Sequence, residues 1–277
     1  AVLATNTWAA MKGRKLLKIR WDEGEKNKDN TTDLFKALAA RAAQAPKKTV
    51  HTVGDGDAVK VPKANVLTAE YAAPFLAHAM MEPLNFIAEV KGDQCELWGG
   101  LQLPNWTVET IEKECNIPKN NIRVNLALMG GAFGRRLLCD FAIEAVKIAQ
   151  QADKPVKVIW DRTDDIRFDN YRPANYHRLQ AKWDAQNTLQ SWDHHVLSTP
   201  ISWMTDGPDT DPAENLGGAD KDFWYGVPNI KTSYSPVDFN LHRGWLRGVE
   251  PVQNVFAVEC FIDEVAQKLK KDPLQYR

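Results

Sequence analysis

The chain of 277 residues predicts an α/β fold of mixed sheets, on three observations. From Val66 onward, short segments with a two-residue apolar period alternate with segments of helical period. A glycine-rich turn, Gly130-Gly131-Ala132-Phe133-Gly134-Arg135-Arg136, joins one such strand-like run to one such helix-like run. With 44% hydrophobic residues the chain can also bury a substantial core, in one domain or two small ones.

In order, residues 5–20, around Trp8, Met11, Leu16, Leu17 and Ile19, read as a helix running into a short strand. The polar stretch 22–29 reads as a linker, and 32–44 as a helix capped by Thr31 or Thr32 and stopped before Pro46. Gly54-Asp55-Gly56-Asp57 is a turn. Strands follow at 87–90 and 96–98, then a helix at 107–115 and a strand at 122–128, whose Ile122, Val124, Leu126 and Leu128 share one face. Leu137, Leu138, Phe141, Ala142, Ala145, Val146 and Ala149 give a helix directly after the glycine turn, and 156–160 a strand.

These segments form two successive strand-helix-strand units. Such crossovers are right-handed in nearly all cases, which predicts helices gathered on one face of a sheet. Residues 178–196 form a hairpin turning at 184–187, and 205–222 a surface loop. Val255, Val258, Ile262, Val265 and Leu269 mark a last amphipathic helix, ended before Asp272-Pro273.

Composition excludes several functions. Lys and Arg number 35 against 36 Asp and Glu, so no basic excess points to a nucleic-acid partner. No uninterrupted apolar run of about 18 residues exists to span a bilayer. The four cysteines, Cys95, Cys115, Cys139 and Cys260, have no zinc-site spacing and read as buried free thiols. Asp206, Asp209 and Asp211 fit no defined calcium loop and read as solvated. His194-His195 on a strand point to opposite faces and read as structural, while Trp203 and Trp224 flank the acidic loop as candidates for a pocket mouth. The chain begins at Ala1 without a methionine, and is expected to be a piece of something longer.

The glycine turn carries the chemistry. Glycines let backbone approach a ligand, helix N-termini favour anions, and the Arg135 and Arg136 forks suit phosphate. Neither the Gly-Lys-Ser/Thr of nucleotide loops nor Gly-x-Gly-x-x-Gly is present, so neither ATP nor NAD is favoured. The alternative is an ordinary tight turn with two surface arginines, although arginines at a helix start oppose its dipole.

The run RVNLALMGGAFGRR resembles the molybdopterin-binding large subunits of the xanthine oxidase superfamily, in particular the isoquinoline 1-oxidoreductase and aldehyde dehydrogenase beta subunits. AHAMMEP (77–83), LWGGLQLPN (97–105), VIWDRTDDIRFDNYRP (158–173), GWLRGV (244–249) and FAVECFIDEVAQKLKKDPLQYR (256–277) agree with it in order. The resemblance implies a molybdopterin-binding domain of xanthine oxidase type over 63–277, preceded by a remnant of a small N-terminal domain and linker over 1–62. It implies a molybdenum-molybdopterin cofactor in cytosine dinucleotide form, which hydroxylates an N-heterocycle or oxidises an aldehyde with water-derived oxygen. Its implied partners are an iron-sulfur small subunit, the remainder of the large subunit and a small-molecule substrate.

Residue by residue, Gly130, Gly131, Ala132, Phe133 and Gly134 would lie against the metal centre, with Arg135 and Arg136 reaching cofactor phosphates. Arg247 would stabilise negative charge on the substrate, where a charged hydrogen bond is worth about 1.5–3 kcal/mol. Trp245, His78 and Glu82 would line the pocket. Read without the resemblance, Arg247 is a structural salt bridge, His78 a packed core residue and Glu82 a cap or ion-pair partner. Two departures stand out: Ala132 replaces a common glycine, and the family's catalytic glutamate, in a Gly-x-Gly-Glu motif, does not occur, so this polypeptide is expected to be inert alone. The alternative function is a non-catalytic scaffold or cofactor-binding module of the same fold.

Overall fold

The computed structural model describes residues 1–24, 27–205 and 216–277; the acids Asp206, Asp209 and Asp211 lie outside them. The helices are α1 (Thr7–Leu16), α2 (Thr31–Ala42), α3 (Pro104–Cys115), α4 (Asp140–Ala152), α5 (Arg162–Arg167), α6 (Ser202–Thr205), α7 (Pro251–Lys268) and α8 (Pro273–Tyr276). The strands are β1 (Lys48–Val53), β2 (Val66–Ala73), β3 (Asn85–Lys91), β4 (Gln94–Gly99), β5 (Ile122–Leu126), β6 (Val156–Ile159), β7 (Asn175–Trp183), β8 (Leu189–Ser198) and β9 (Asn229–Pro236). The mixed α/β class holds. The chain divides into two compact units, one of Ala1–Asn27, Ala77–Tyr171 and Gly244–Arg247, the other of Lys28–Leu76, Arg172–Arg243 and Gly248–Arg277.

In the first unit the sheet order is β5-β4-β3-β6. β3 is antiparallel to β4 and β6, and β4 runs parallel to β5 across the α3 crossover. Alternation turns Phe86, Ala88, Val90, Cys95 and Leu97 to one face, where they meet Ile111 and Cys115 of α3 and Phe141, Ala142, Ala145 and Val146 of α4. Both helices therefore share that face, as the sequence predicts. Phe86 and Phe141 cross edge to face at 5.6 Å.

Boundaries moved where local chemistry overrode periodicity. α3 starts earlier than expected, because Pro104 at its first position gives up only an N–H that a helix start leaves unpaired anyway. β5 stops at Leu126, and Leu128 is fully exposed, so the apolar face expected through 128 ends early. Residues 17–24, directly after α1, form no strand.

In the second unit the order is β1-β9-β8-β7-β2. The predicted hairpin is β7 and β8, antiparallel, with Asp184 Oδ1 accepting from the Gln186 and Thr188 amides at 2.9 Å to form the turn. β8 and β9 pair in parallel. On one face Leu179, Ala181, Trp192 and Ile230 meet Val258, Phe261, Ile262 and Val265 of α7. On the other, Tyr176 and Leu197 meet Leu34, Leu38 and Ala42 of α2. The α7 stripe is shifted from the expected one: Val255 is exposed, and Ala257, Phe261 and Ala266 are buried with Val258, Ile262 and Val265. The α2 cap is Asn30, whose side chain accepts from the Asp33 amide at 3.0 Å, rather than a threonine.

His194 and His195 do face opposite ways. The His194 ring packs with His177 on the α7 side, Nε2 against Nδ1 at 3.1 Å, while His195 Nε2 meets Ser235 Oγ at 2.9 Å. Trp203 is half-buried and Trp224 exposed. Cys95, Cys115 and Cys139 are buried free thiols, and Cys260 is half-buried. Burial pushes the Cys95 thiol up to about 11. No helix among the described residues is long and apolar enough to cross a membrane.

Candidate functional site: the glycine turn and its supports

The glycine turn leaves β5 and does not open a helix directly. Residues Arg135–Leu137 form a 3-10 turn, and α4 begins at Asp140 behind Cys139. The helix dipole expected at the glycines therefore acts further along the chain, and the donor set must come from the turn itself.

All five carbonyls of the turn are engaged within the unit. Gly130 O accepts from the Glu82 amide at 3.2 Å, Ala132 O from Arg135 at 2.8 Å, Phe133 O from Arg247 at 2.8 Å and Gly134 O from Leu137 at 3.1 Å. Gly131 O accepts from Arg136 Nε at 3.2 Å. Of the amides, Gly130 donates to Glu82 Oε2 at 2.7 Å and Gly134 to Gln102 Oε1 at 3.1 Å. The consecutive N–H groups of Gly131, Ala132 and Phe133 find no acceptor among the described residues. Successive backbone donors of this kind form a concavity for anions or oxo groups.

The turn is strained into shape. Phe133 is a non-glycine residue at φ 53° and is part-exposed. Gly134 sits at φ 111°, and a Cβ there would lie 1.5 Å from Trp245 O, so only glycine fits. A Cβ on Gly130 would meet that of Glu82 at 2.8 Å.

Behind the turn lies a charged lattice. Arg135 and Arg136 are both buried and turned onto acidic partners within the unit. Arg135 forks onto Asp140 at 2.7 and 2.6 Å, and its Nε lies 2.9 Å from Asp169, an ionic contact rather than an aligned hydrogen bond. Arg136 pairs with Glu82 Oε1 at 2.9 Å. Partial burial alone would raise the Glu82 carboxyl, but donors from Gly130, Asn85 and Arg136 hold it below the ordinary range. At Asp169 burial is likewise overruled, by His78 and then Arg135, and its carboxyl is also lowered. His78 is buried: Nδ1 meets Asp169 Oδ1 at 3.0 Å and Nε2 meets Trp245 O at 2.9 Å.

Arg247 is exposed and its amide fastens to Phe133. Trp245 is half-buried, its ring edge-on to Trp106 at 6.3 Å. The structure thus brings residues 78, 82, 130–136, 245 and 247 into one constellation. Gln102, Asp169 and Trp106 join it, although sequence reasoning did not single them out. Gln102 and Asp169 stand inside the quoted runs LWGGLQLPN and VIWDRTDDIRFDNYRP, but no spacing rule marks them.

The model of the molybdopterin cofactor-binding domain family matches residues 36–277. This chain belongs to that family. The chain is 30% identical, over 289 residues covering all of it, to a membrane-bound aldehyde dehydrogenase [pyrroloquinoline-quinone] of Gluconacetobacter polyoxogenes. It is 24% identical, again over its full length, to the isoquinoline 1-oxidoreductase subunit beta of Brevundimonas diminuta. It spans 37% of the length of each of these relatives. In fold, the chain is similar to the aldehyde oxidoreductase of Desulfovibrio gigas, with a TM-score of 0.64 and 21% identity over 82% of this chain and 25% of that one.

Proposed function

We propose that this chain is the cofactor-cradling part of the large subunit of a molybdenum-dependent oxidoreductase that hydroxylates an N-heterocycle or oxidises an aldehyde. The observation that carries the proposal is the polarity of the glycine turn, with its carbonyls engaged inward and three successive amides left as donors. That donor set fits the oxo- and sulfur-rich acceptor face of a molybdopterin centre. When bound, the cofactor supplies a two-electron oxidation in which a C–H bond and water become C–OH, two protons and two electrons.

The chain's own residues position and polarise. Gly130 to Gly134 present the amides, with Phe133 held outward by its strained backbone. Arg135 and Arg136 buttress the turn through Asp140, Asp169 and Glu82. Arg247 is assigned the stabilisation of negative charge on the substrate carbonyl oxygen or ring nitrogen, and Trp245 an apolar wall.

The cofactor is proposed in its cytosine dinucleotide form, with electrons leaving to iron-sulfur clusters on a partner subunit and with the remainder of the large subunit completing the site. Residues 63–277 are assigned to the first molybdopterin-binding domain and 1–62 to a remnant of a small preceding domain and its linker. The names of the relatives, an aldehyde dehydrogenase and an isoquinoline oxidoreductase, support the two substrate classes.

The test uses the complete protein with its co-purifying chains, an artificial electron acceptor and aldehyde and N-heterocycle substrates in 18O-labelled water. Product oxygen is expected to derive from water. No turnover of either class by a molybdenum-loaded protein favours the binding module instead.

A further inference from the structure

His78 faces two acceptors. Nδ1 lies 3.0 and 3.1 Å from the two oxygens of Asp169, whose carboxyl is held in its ionised form, and Nε2 lies 2.9 Å from the carbonyl oxygen of Trp245. A carboxylate and a carbonyl only accept, so both ring nitrogens must donate, and an imidazole with two N–H groups is the cation. The ring has no other protonation state that satisfies both partners, and its side chain is 1% exposed, so water does not substitute.

We propose that His78 is a buried imidazolium that ties the Gly244–Arg247 segment to the glycine turn, and so acts as a positioning residue for Arg247. The mechanical chain is short. Asp169 also accepts from the His78 backbone amide at 2.5 Å, which fixes the ring's base. Trp245 O, held by Nε2, is the atom that Gly134 alone can accommodate, and two residues on the Arg247 amide donates to Phe133 O. Removing one proton from His78 turns the Nε2 contact into a lone pair facing a carbonyl, which releases the segment bearing Arg247.

The charges around the ring are Asp169 beside Tyr171, Arg135 of the 3-10 turn with its second partner Asp140, and Asp165 of α5 paired with Arg162. Asp169 thus serves two cations, His78 and Arg135, while Asp140 answers the rest of Arg135. The functional consequence rests on the cofactor reading above; the tie itself does not.

The experiment uses the complete protein with its cofactor and accompanying chains. With 15N-labelled histidine, the signal lost in His78→Gln is assigned to His78. Both of its ring nitrogens are expected to carry a proton in the folded protein, one for each acceptor. A bare nitrogen overturns the proposal.

Hydrogen exchange is the second readout. The amide of Arg247 is expected to exchange at least tenfold faster in His78→Gln, whose side chain can donate to only one of the two acceptors, with the amides of α7 unchanged. Equal rates at Arg247 in the two proteins overturn the tie. Neither readout depends on molybdenum or turnover, so a wild-type protein without molybdenum defeats the cofactor reading and leaves the tie to be judged separately.

Discussion

The backbone amide of Arg247 donates to the carbonyl oxygen of Phe133 at 2.8 Å, joining two segments that lie far apart in the sequence. Phe133 pays for its outward position with a left-handed backbone, and the Arg247 bond is one of the contacts that over-determine it. The exposed Arg247 side chain is thereby carried on the same scaffold as the turn whose amides face outward.

Gly134→Ala should dismantle the turn. The added Cβ meets Trp245 O at 1.5 Å on a backbone at φ 111°, so either the turn or the 244–247 segment must move. The expected result is a protein that folds but retains less than a tenth of wild-type molybdenum, measured as metal per chain. Full occupancy would separate the turn from the cofactor.

Arg247→Ala in the complete enzyme should lower kcat by about 10²- to 10³-fold, the range for losing one fixed donor to a developing negative charge, with cofactor content unchanged. Steady-state kinetics beside metal analysis decides this. Unchanged turnover returns Arg247 to a structural role.

Arg135→Ala should cost about 3–5 kcal/mol of stability, because it leaves the buried Asp169 with one cation fewer. Arg136→Ala should do less to stability, since Glu82 is partly exposed and can be solvated. Both should also reduce molybdenum loading by loosening the turn. Denaturant unfolding and metal content are read on the same preparations; lost stability with full loading would confine the two arginines to folding.

Acid should weaken the second unit before carboxylates titrate. Burial lowers His177 to about 3 and His195 to about 4, and pushes His194 well below its ordinary value. These rings are neutral when folded and bind protons near pH 6.5 when unfolded, so the unfolded state takes up more protons below that pH. Stability is fully present above about 6.5 and is lost as pH falls toward the folded values, by about 1.4 kcal/mol per pH unit for each fully buried ring. From pH 7.5 to 5, His177 should remove about 2 kcal/mol, with His194 acting in the same direction, seen as a lower urea midpoint. A flat profile over that interval would contradict their burial as neutral groups.

The legible parts of the sequence were those governed by local rules. The hairpin at 184–187 announced itself through Asp184 and alternating apolar residues, and the α3 and α4 cores through helical spacing. Strand order was not legible, because β8 pairs with β9 and β3 with β6 through distances that no local period encodes. The same limit explains the site. Gly130 to Gly134 stood out by composition, whereas the fate of Arg135 and Arg136 depended on Asp169 and Glu82, brought in from other segments. Two arginines beside a glycine turn look alike in sequence whether they face solvent or a buried carboxylate.

The most direct test is molybdenum analysis of the complete protein purified from its native host with whatever chains accompany it. One molybdenum per chain, with iron from an iron-sulfur partner, is the predicted result, and it also distinguishes this cofactor from the pyrroloquinoline quinone in the name of the Gluconacetobacter relative. A fully folded native complex without molybdenum would contradict the account and favour a scaffold that keeps the fold without the chemistry.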